Sequence, residues 1–500
     1  MQTNQELESA IKLTVNSVVR ALEPKALWNY FADLNAVPRP SKKEERVIQF
    51  IKDFGNSIGL DTMEDEIGNV IIKKASTPGM EQRETILLQS HLDMVHQKNN
   101  DTLFDFDLQG IQMELEGDWV RAKGTTLGAD NGIGVATIMA LLASKEIAHP
   151  AIEALFTIDE ETGMTGALNL KAGLFSAKIM LNLDTEDDTE LTIGCAGGID
   201  VTVTGNIEQV KTREEMIGFK LTLKGLTGGH SGMDIHKGRA NANKLMNGLL
   251  LKAGEQFNLK IASIDGGSLR NAIPRESVAV VALAKIKEQA FLDFANREAE
   301  ALKMKFKTTD PNLSLLVQQT EAPLNVIGDK FQGELLSAIK NCPNGVYSMS
   351  PDIDGLVQTS NNLARVLLKD TSYTILCLTR SSVDVEKMKL AGEIKNEFEQ
   401  CGSKVELAGN YPGWTPKPDA KIASLMSKLY REMFDSEPHV NACHAGLECG
   451  IIGGNYPGME MISFGPNITG AHSPDEKVQI SSVQKYWSFL LETLKRIPLK

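Results

Sequence analysis

Five hundred residues with 42% apolar and 23% charged content describe a globular chain with ample material for a core, and exclude fibrous, collagenous and wholly disordered readings. The 65 acidic side chains outnumber the 52 basic ones, for a net charge of −13; such a field repels phosphate backbones and anionic lipid surfaces, so nucleic acid and membrane are not expected as partners. At about 150 residues per domain the length suggests roughly three domains, but one large α/β unit carrying an insertion fits as well, and two lobes is the working count.

The opening residues Met1 to Glu6 have neither the basic nor the apolar region of a signal peptide. The longest apolar stretches, such as Val135 to Ala143, reach only about half of the ~20 residues that span a bilayer. A cytoplasmic protein is expected. The six cysteines are scattered without Cys-x-x-Cys spacing, which reads as reduced thiols in packing roles.

In chain order, the spacing predicts a strand over Thr85 to Gln89, a helix over Gly132 to Ser144, and strands over Ile152 to Thr157 and Lys178 to Leu183. That alternation argues for βαβ units in a sheet. Beyond Gly194-Cys195-Ala196-Gly197-Gly198, expected to be a hinge between lobes, the texture changes. Strands are expected over Phe219 to Leu223, Val278 to Ala284 and Tyr373 to Leu378, and helices over Asn241 to Lys252, Glu288 to Lys303 and Val383 to Glu399. A strand near Gly402, a helix over Asp419 to Phe434, a strand over Met459 to Phe464 and an amphipathic helix over Ser481 to Arg496 complete the chain. The organisation read from this is a discontinuous first α/β domain, residues 1–198 and 389–500, interrupted by an inserted second α/β domain, residues 199–388.

Chemistry-bearing side chains sit just beyond the strand ends. His91 and Asp93 follow the first strand, Asp159, Glu160 and Glu161 the next, and Asp184 the third, while His472 lies in the loop after the last. Asp130 occupies a tight turn, Gly128-Ala129-Asp130-Asn131-Gly132, directly before a helix. Open α/β sheets bind ligands at the carboxyl ends of their strands, so these groups are expected to converge. Imidazoles and carboxylates at one rim suit Zn²⁺, or Mn²⁺ or Co²⁺. One zinc saturates with about four ligands, and this set exceeds that number, so two metals fit better. If Asp130 bridged them, each would take one histidine and one further carboxylate around a shared, acidified water. One of the neighbours Glu160 and Glu161 could bind metal while the other served as general base. Asp93 could accept the spare ring N–H of His91 and fix its tautomer.

The segments Ser90 to Val95, Thr125 to Gly132, Asp159 to Gly163 and Asn182 to Glu186 resemble the co-catalytic metal exopeptidases of the peptidase M20 type. The segments Gly229 to His236, Arg239 to Lys244, His444 to Gly450 and Gly470 to Pro474 are similar, more narrowly, to the bacterial aminoacyl-histidine dipeptidases, also called cytosol non-specific dipeptidases. The resemblance spans nearly the whole chain. It implies two zinc ions bridged by Asp130, with His91 and Asp184 completing one site and Glu161 and His472 the other, and Glu160 as the proton carrier. It implies a cis bond between Asp130 and Asn131, a zinc-exopeptidase-like catalytic domain with a central mixed sheet flanked by helices over residues 1–198 and 389–500, and an α/β lid over residues 199–388 that mediates homodimerisation. It also implies substrate contacts from His230, Asn271 and Arg380 of the lid and from the backbone around Gly446 in the first lobe. The expected reaction is hydrolysis of dipeptides with free termini, Xaa-His substrates such as carnosine included.

Competing readings are a tripeptidase or an N-acyl amino acid deacylase on the same scaffold and, from another class, a non-catalytic metal-dependent binding protein. The unligated Glu160 argues against the last, because a pure binding site has no need of it. His96, His149, His236 and His439 are expected in surface or packing roles, and His444 either in plain structure or behind the site. Most of the acidic run Asp184 to Glu190 is expected to be solvated, with only Asp184 taken as a ligand.

Overall fold

The computed structural model describes residues 16–99 and 101–500, so the reading of the opening Met1 to Glu6 lies outside the described residues. Among the described residues, no helix is long and apolar enough to cross a membrane, and the six cysteines are free thiols. The chain divides into two compact units. The first runs to Gly194 and resumes over Pro416–Ala442 and Leu447–Lys500; the second comprises Cys195–Thr415 and Cys443–Gly446.

In the first unit, the described residues form an eight-stranded mixed sheet in the order Asp61–Glu64, Val70–Lys74, Ile152–Thr157, Ile86–His91, Ile179–Asn182, Glu460–Ser463, Glu190–Cys195, His439–Cys443. Ile86–His91 is parallel to both Ile152–Thr157 and Ile179–Asn182, and Glu460–Ser463 is parallel to Ile179–Asn182. These central strands are buried along nearly their whole length, which is why they read as continuous apolar runs rather than alternating ones. Burying each Leu or Ile here contributes about 1.5–3 kcal/mol relative to exposure. The helix Ala129–Ala143 packs on the Ile86–His91 strand and is apolar nearly all round, as a helix enclosed on every side must be.

The second unit is built on a nine-stranded antiparallel sheet. Its helices Ala242–Phe257, Glu288–Lys305, Asp329–Asn341 and Asp384–Glu399 share one apolar core with the strands. Asn241 caps the first of these helices, its side-chain oxygen accepting from the amides of Asn243 at 3.0 Å and Lys244 at 3.2 Å.

Two features differ from the sequence reading. The second unit ends at Thr415 rather than near residue 388, because Lys404–Tyr411 pairs antiparallel with Gly197–Asn206 and the Asp384–Glu399 helix buries Leu390, Ile394 and Phe398 in that unit's core. Gly446 belongs to the second unit, not the first: the amide of Ala196 donates to the carbonyls of Cys443 and Ala445, each at 3.0 Å. The junction expected between lobes at Gly194 to Gly198 is found there, the first unit ending at Gly194 and the second beginning at Cys195; Gly197 and Gly198 then open a paired strand, where a side chain on either would collide with Tyr411 or Pro412. Within the acidic run, Asp188 pairs with Lys485 at 2.7 Å and is largely buried.

Candidate metal centre

Each chemistry-bearing residue of the first unit stands where a strand or helix begins or ends. His91 is the last residue of its strand and almost fully buried. Asp130 stands at the distorted start of the Ala129–Ala143 helix, with φ −79° and ψ 111°, and the Asp130–Asn131 bond is cis. Glu160 and Glu161 open a short helix after the Ile152–Thr157 strand, entered through Asp159 in the left-handed region at φ 54°. Asp184 follows the Ile179–Asn182 strand. His472 lies between Ile468–Thr469 and Lys477–Gln479, also left-handed, at φ 63°. Sparsely populated backbone at two such positions is a frequent mark of a functional site.

These residues converge. His91 Nε2 lies 3.2 Å from Asp130 Oδ1 and 3.5 Å from Asp184 Oδ1. His472 Nε2 lies 3.2 Å from Asp130 Oδ2 and 3.0 Å from Glu161 Oε2. Two groups able to hold a metal ion therefore share Asp130: His91, Asp130 and Asp184, and Asp130, Glu161 and His472. Glu160 falls in a third group with His91 and Glu161.

The electrostatics of the site favour a cation. Burial pushes the carboxyls of Glu160, Glu161 and Asp184 up, and neighbouring carboxylates add to it. His472 is pushed up to about 11 by its hydrogen bonds to Asp130 and Glu161. So many acids in one partly dry place need positive charge to stay ionised. Glu161 Oε1 is moreover buried without a hydrogen-bond partner. A nitrogen and oxygen donor set, a shared carboxylate and an orphaned carboxylate oxygen together fit divalent cations.

A surrounding layer holds these groups. Asp93 faces His91 Nδ1 at 3.3 Å and accepts from the amides of Glu160 at 3.0 Å and Glu161 at 3.3 Å and from the Ser41 hydroxyl at 2.8 Å. It thus orients one imidazole and the backbone of both glutamates. Asn131 donates to Asp184 Oδ1 and to the carbonyl of Leu183, both at 2.6 Å.

Sequence reasoning missed several of these supports. Glu476 accepts from the amides of Leu127, Gly128 and Ala129 at 2.7 to 2.9 Å and of Asp130 at 3.3 Å, clamping the turn that presents Asp130. Arg39, buried, donates to the carbonyls of Leu92, Asp93 and Gly128. Glu448, buried and pushed up to about 8 chiefly by burial, accepts from Gln89 and Thr157, each at 2.6 Å. Its position inside the His444 to Gly450 segment was the one available signal.

The remaining expected residues lie in the second unit. The His230 Nδ1 accepts from the amides of Met233 at 3.1 Å and Gly232 at 3.3 Å, which places the ring proton on Nε2. Arg380 is buried and donates to the Tyr411 hydroxyl at 2.9 Å, while its Nε has no hydrogen-bond partner. Asn271 is exposed, and its carbonyl accepts from the Ser231 amide at 2.7 Å. His444 is buried with Nε2 2.8 Å from Ser360 Oγ; burial, then Arg380 and His230, push its pKa down to about 3. His149 is buried against the carbonyl of Pro150, and His96 packs edge-on against Phe106.

A two-unit α/β chain with imidazoles and carboxylates gathered at its strand ends defines a metallopeptidase-like architecture, and comparison makes the class explicit. The profile of peptidase family M20/M25/M40 matches residues 87–496. The chain belongs to that family and is an enzyme. It is 41% identical over 484 residues, 97% of this chain and 100% of the relative, to the cytosol non-specific dipeptidase of Escherichia coli strain K12. The crystal structure of aminoacylhistidine dipeptidase from Vibrio alginolyticus matches with a TM-score of 0.88 and 43% identity, covering 96% of this chain and 98% of that one. A tripeptidase from Staphylococcus aureus, at a TM-score of 0.55 and 16% identity over 95% and 99% of the two chains, shares the fold.

Proposed function

We propose that this enzyme hydrolyses the single peptide bond of dipeptides with free termini, Xaa-His dipeptides such as carnosine among them, in the cytoplasm. The observation that carries the reading is the placement of two imidazoles on opposite oxygens of the Asp130 carboxylate. Two zinc ions would be held with Asp130 common to both, His91 and Asp184 on one side and Glu161 and His472 on the other, with Co²⁺ or Mn²⁺ as substitutes. When bound, they would supply Lewis acidity that polarises the scissile carbonyl and lowers the pKa of water.

The protein's own groups do the rest. Glu160 takes the proton of the attacking water and passes it to the leaving amine, a role suited to a carboxyl that burial holds above its ordinary pKa. Asp93 keeps His91 and the Glu160 backbone aligned. His230 donates from Nε2 to the oxygen of the tetrahedral intermediate. Arg380 binds the substrate carboxylate with its planar fork, helped by Asn271 and the backbone around Gly446. The inserted unit would also form the homodimer.

The test couples an elemental metal count to an assay of carnosine, a tripeptide and an N-acetyl amino acid, with and without chelator. The expected result is two zinc ions per chain and chelator-sensitive cleavage of the dipeptide in preference to the other two. Preferential cleavage of the tripeptide or the acetylated amino acid would point to the tripeptidase or deacylase reading. Metal binding without any hydrolysis would indicate a binding protein.

A further inference from the structure

The second unit contains a cavity of about 480 Å³, within the range of small-molecule sites. It is built entirely from residues of that unit. Its apolar wall comes from Phe257 at the end of the Ala242–Phe257 helix, Met216 and Ala284 at strand ends, and Val210 and Val326 on a short strand pair. Phe257 and Val326 are otherwise buried, so the cavity reaches down to the edge of the core.

The polar lining is one-sided. Lys211, Arg213, Lys260 and Lys287 face two carboxylates, Glu215 and Asp329. Lys260 is already matched: its ammonium lies 2.5 Å from Asp329 Oδ1 and 2.7 Å from Asn258 Oδ1. Among the described residues, Lys211, Arg213 and Lys287 have no ion pair and no side-chain hydrogen bond. A cluster of unmatched cations on a chain of net charge −13 runs against the average field, and gathering like charges has a cost unless an anion relieves it.

We propose that this cavity binds a small amphipathic anion, an apolar body carrying a phosphate or carboxylate, at a site separate from the metal centre. The anionic group would be held by Arg213 and Lys287, and the body would rest against Phe257 and Val326. Arg213 brings the bidentate geometry that phosphate and carboxylate both accept.

The probes are phenyl phosphate and 3-phenylpropionate, which separate the two anionic groups, with inorganic phosphate and benzyl alcohol as the charge alone and the body alone. Binding to the metal-loaded protein is measured by calorimetry at low salt, on wild type and the Arg213→Glu/Lys287→Glu double variant. Dipeptide hydrolysis serves as the check that the variant is folded. The expected result is saturable binding of at least one amphipathic probe, weakened about tenfold or more in the double variant, with inorganic phosphate and benzyl alcohol at least about tenfold weaker than that probe. The affinity should also fall as salt rises. The proposal is overturned if neither amphipathic probe binds wild type, or if binding is as tight in the double variant, which would place the probe at the catalytic centre instead.

Discussion

His91 and His472 lie against opposite oxygens of one carboxylate, each Nε2 3.2 Å from its own oxygen of Asp130. The roles proposed for Asp130 and Glu160 differ sharply, and two variants separate them. Asp130→Ala removes the group common to both proposed metal sites, so the expected metal content falls below one ion per chain with no measurable turnover. Glu160→Gln keeps the shape and every proposed ligand, so it should retain both ions while kcat falls by about 10²- to 10⁴-fold. Wild-type turnover by Glu160→Gln would reassign the base.

Asp93→Asn replaces an acceptor by an amide whose nitrogen cannot accept. At least one of its bonds to His91, the Ser41 hydroxyl or the Glu160 and Glu161 amides is then lost. The expected outcome is metal affinity weakened about 10- to 100-fold, read by competition with a chelating dye, together with a fall in kcat. Unchanged affinity would show that Asp93 does not orient the ligands.

Glu448 ties together strands that end in candidate ligands, since Gln89 stands two residues before His91 and Thr157 three before Glu160. Glu448→Ala strands the buried Gln89 and Thr157 donors and should destabilise the fold by about 1–3 kcal/mol in urea titration. Glu448→Gln restores an acceptor to the same place and should recover most of that stability and the activity. If Glu448→Gln were as inactive as Glu160→Gln, Glu448 would be acting as a charge and not as a hydrogen-bond anchor.

His444 sets a pH dependence in the second unit. Its folded-state pKa of about 3 lies below the ordinary 6.5, so between those values the unfolded chain binds more protons than the folded one. The stabilisation is complete above pH 6.5 and drains away as pH falls toward 3. A His444→Gln variant, able to keep a bond to Ser360, should lose less of its urea midpoint between pH 7 and pH 4.5 than wild type does. Parallel losses in the two proteins would mean that His444 is charged, or solvated, in the fold.

The parts of this architecture that sequence reveals are those governed by local pattern. The central strands read clearly because burial on both faces demands unbroken apolar runs, and the acids and histidines beyond them stand out against that background. The end of the insertion did not read clearly. The Asp384–Glu399 helix is amphipathic and suits either unit, and only the distant pairing of Lys404–Tyr411 with Gly197–Asn206 decides its membership. Glu476 carries no local signal at all, because its work is to accept amides from Leu127 through Asp130, a partner far away along the chain. Arg39 is hidden for the same reason, with carbonyl partners on two separate loops.

The brief return of the chain to the second unit at Cys443–Gly446 has a consequence for recombination. The insertion is not a cassette that can be lifted out between two cuts. A fragment spanning Cys195 to Thr415 would leave behind His444, the partner of Ser360, and the carbonyls that receive the Ala196 amide. A chimera that exchanges this unit between relatives must therefore transplant the short downstream peptide with it, or the graft will carry exposed seams where those bonds belong.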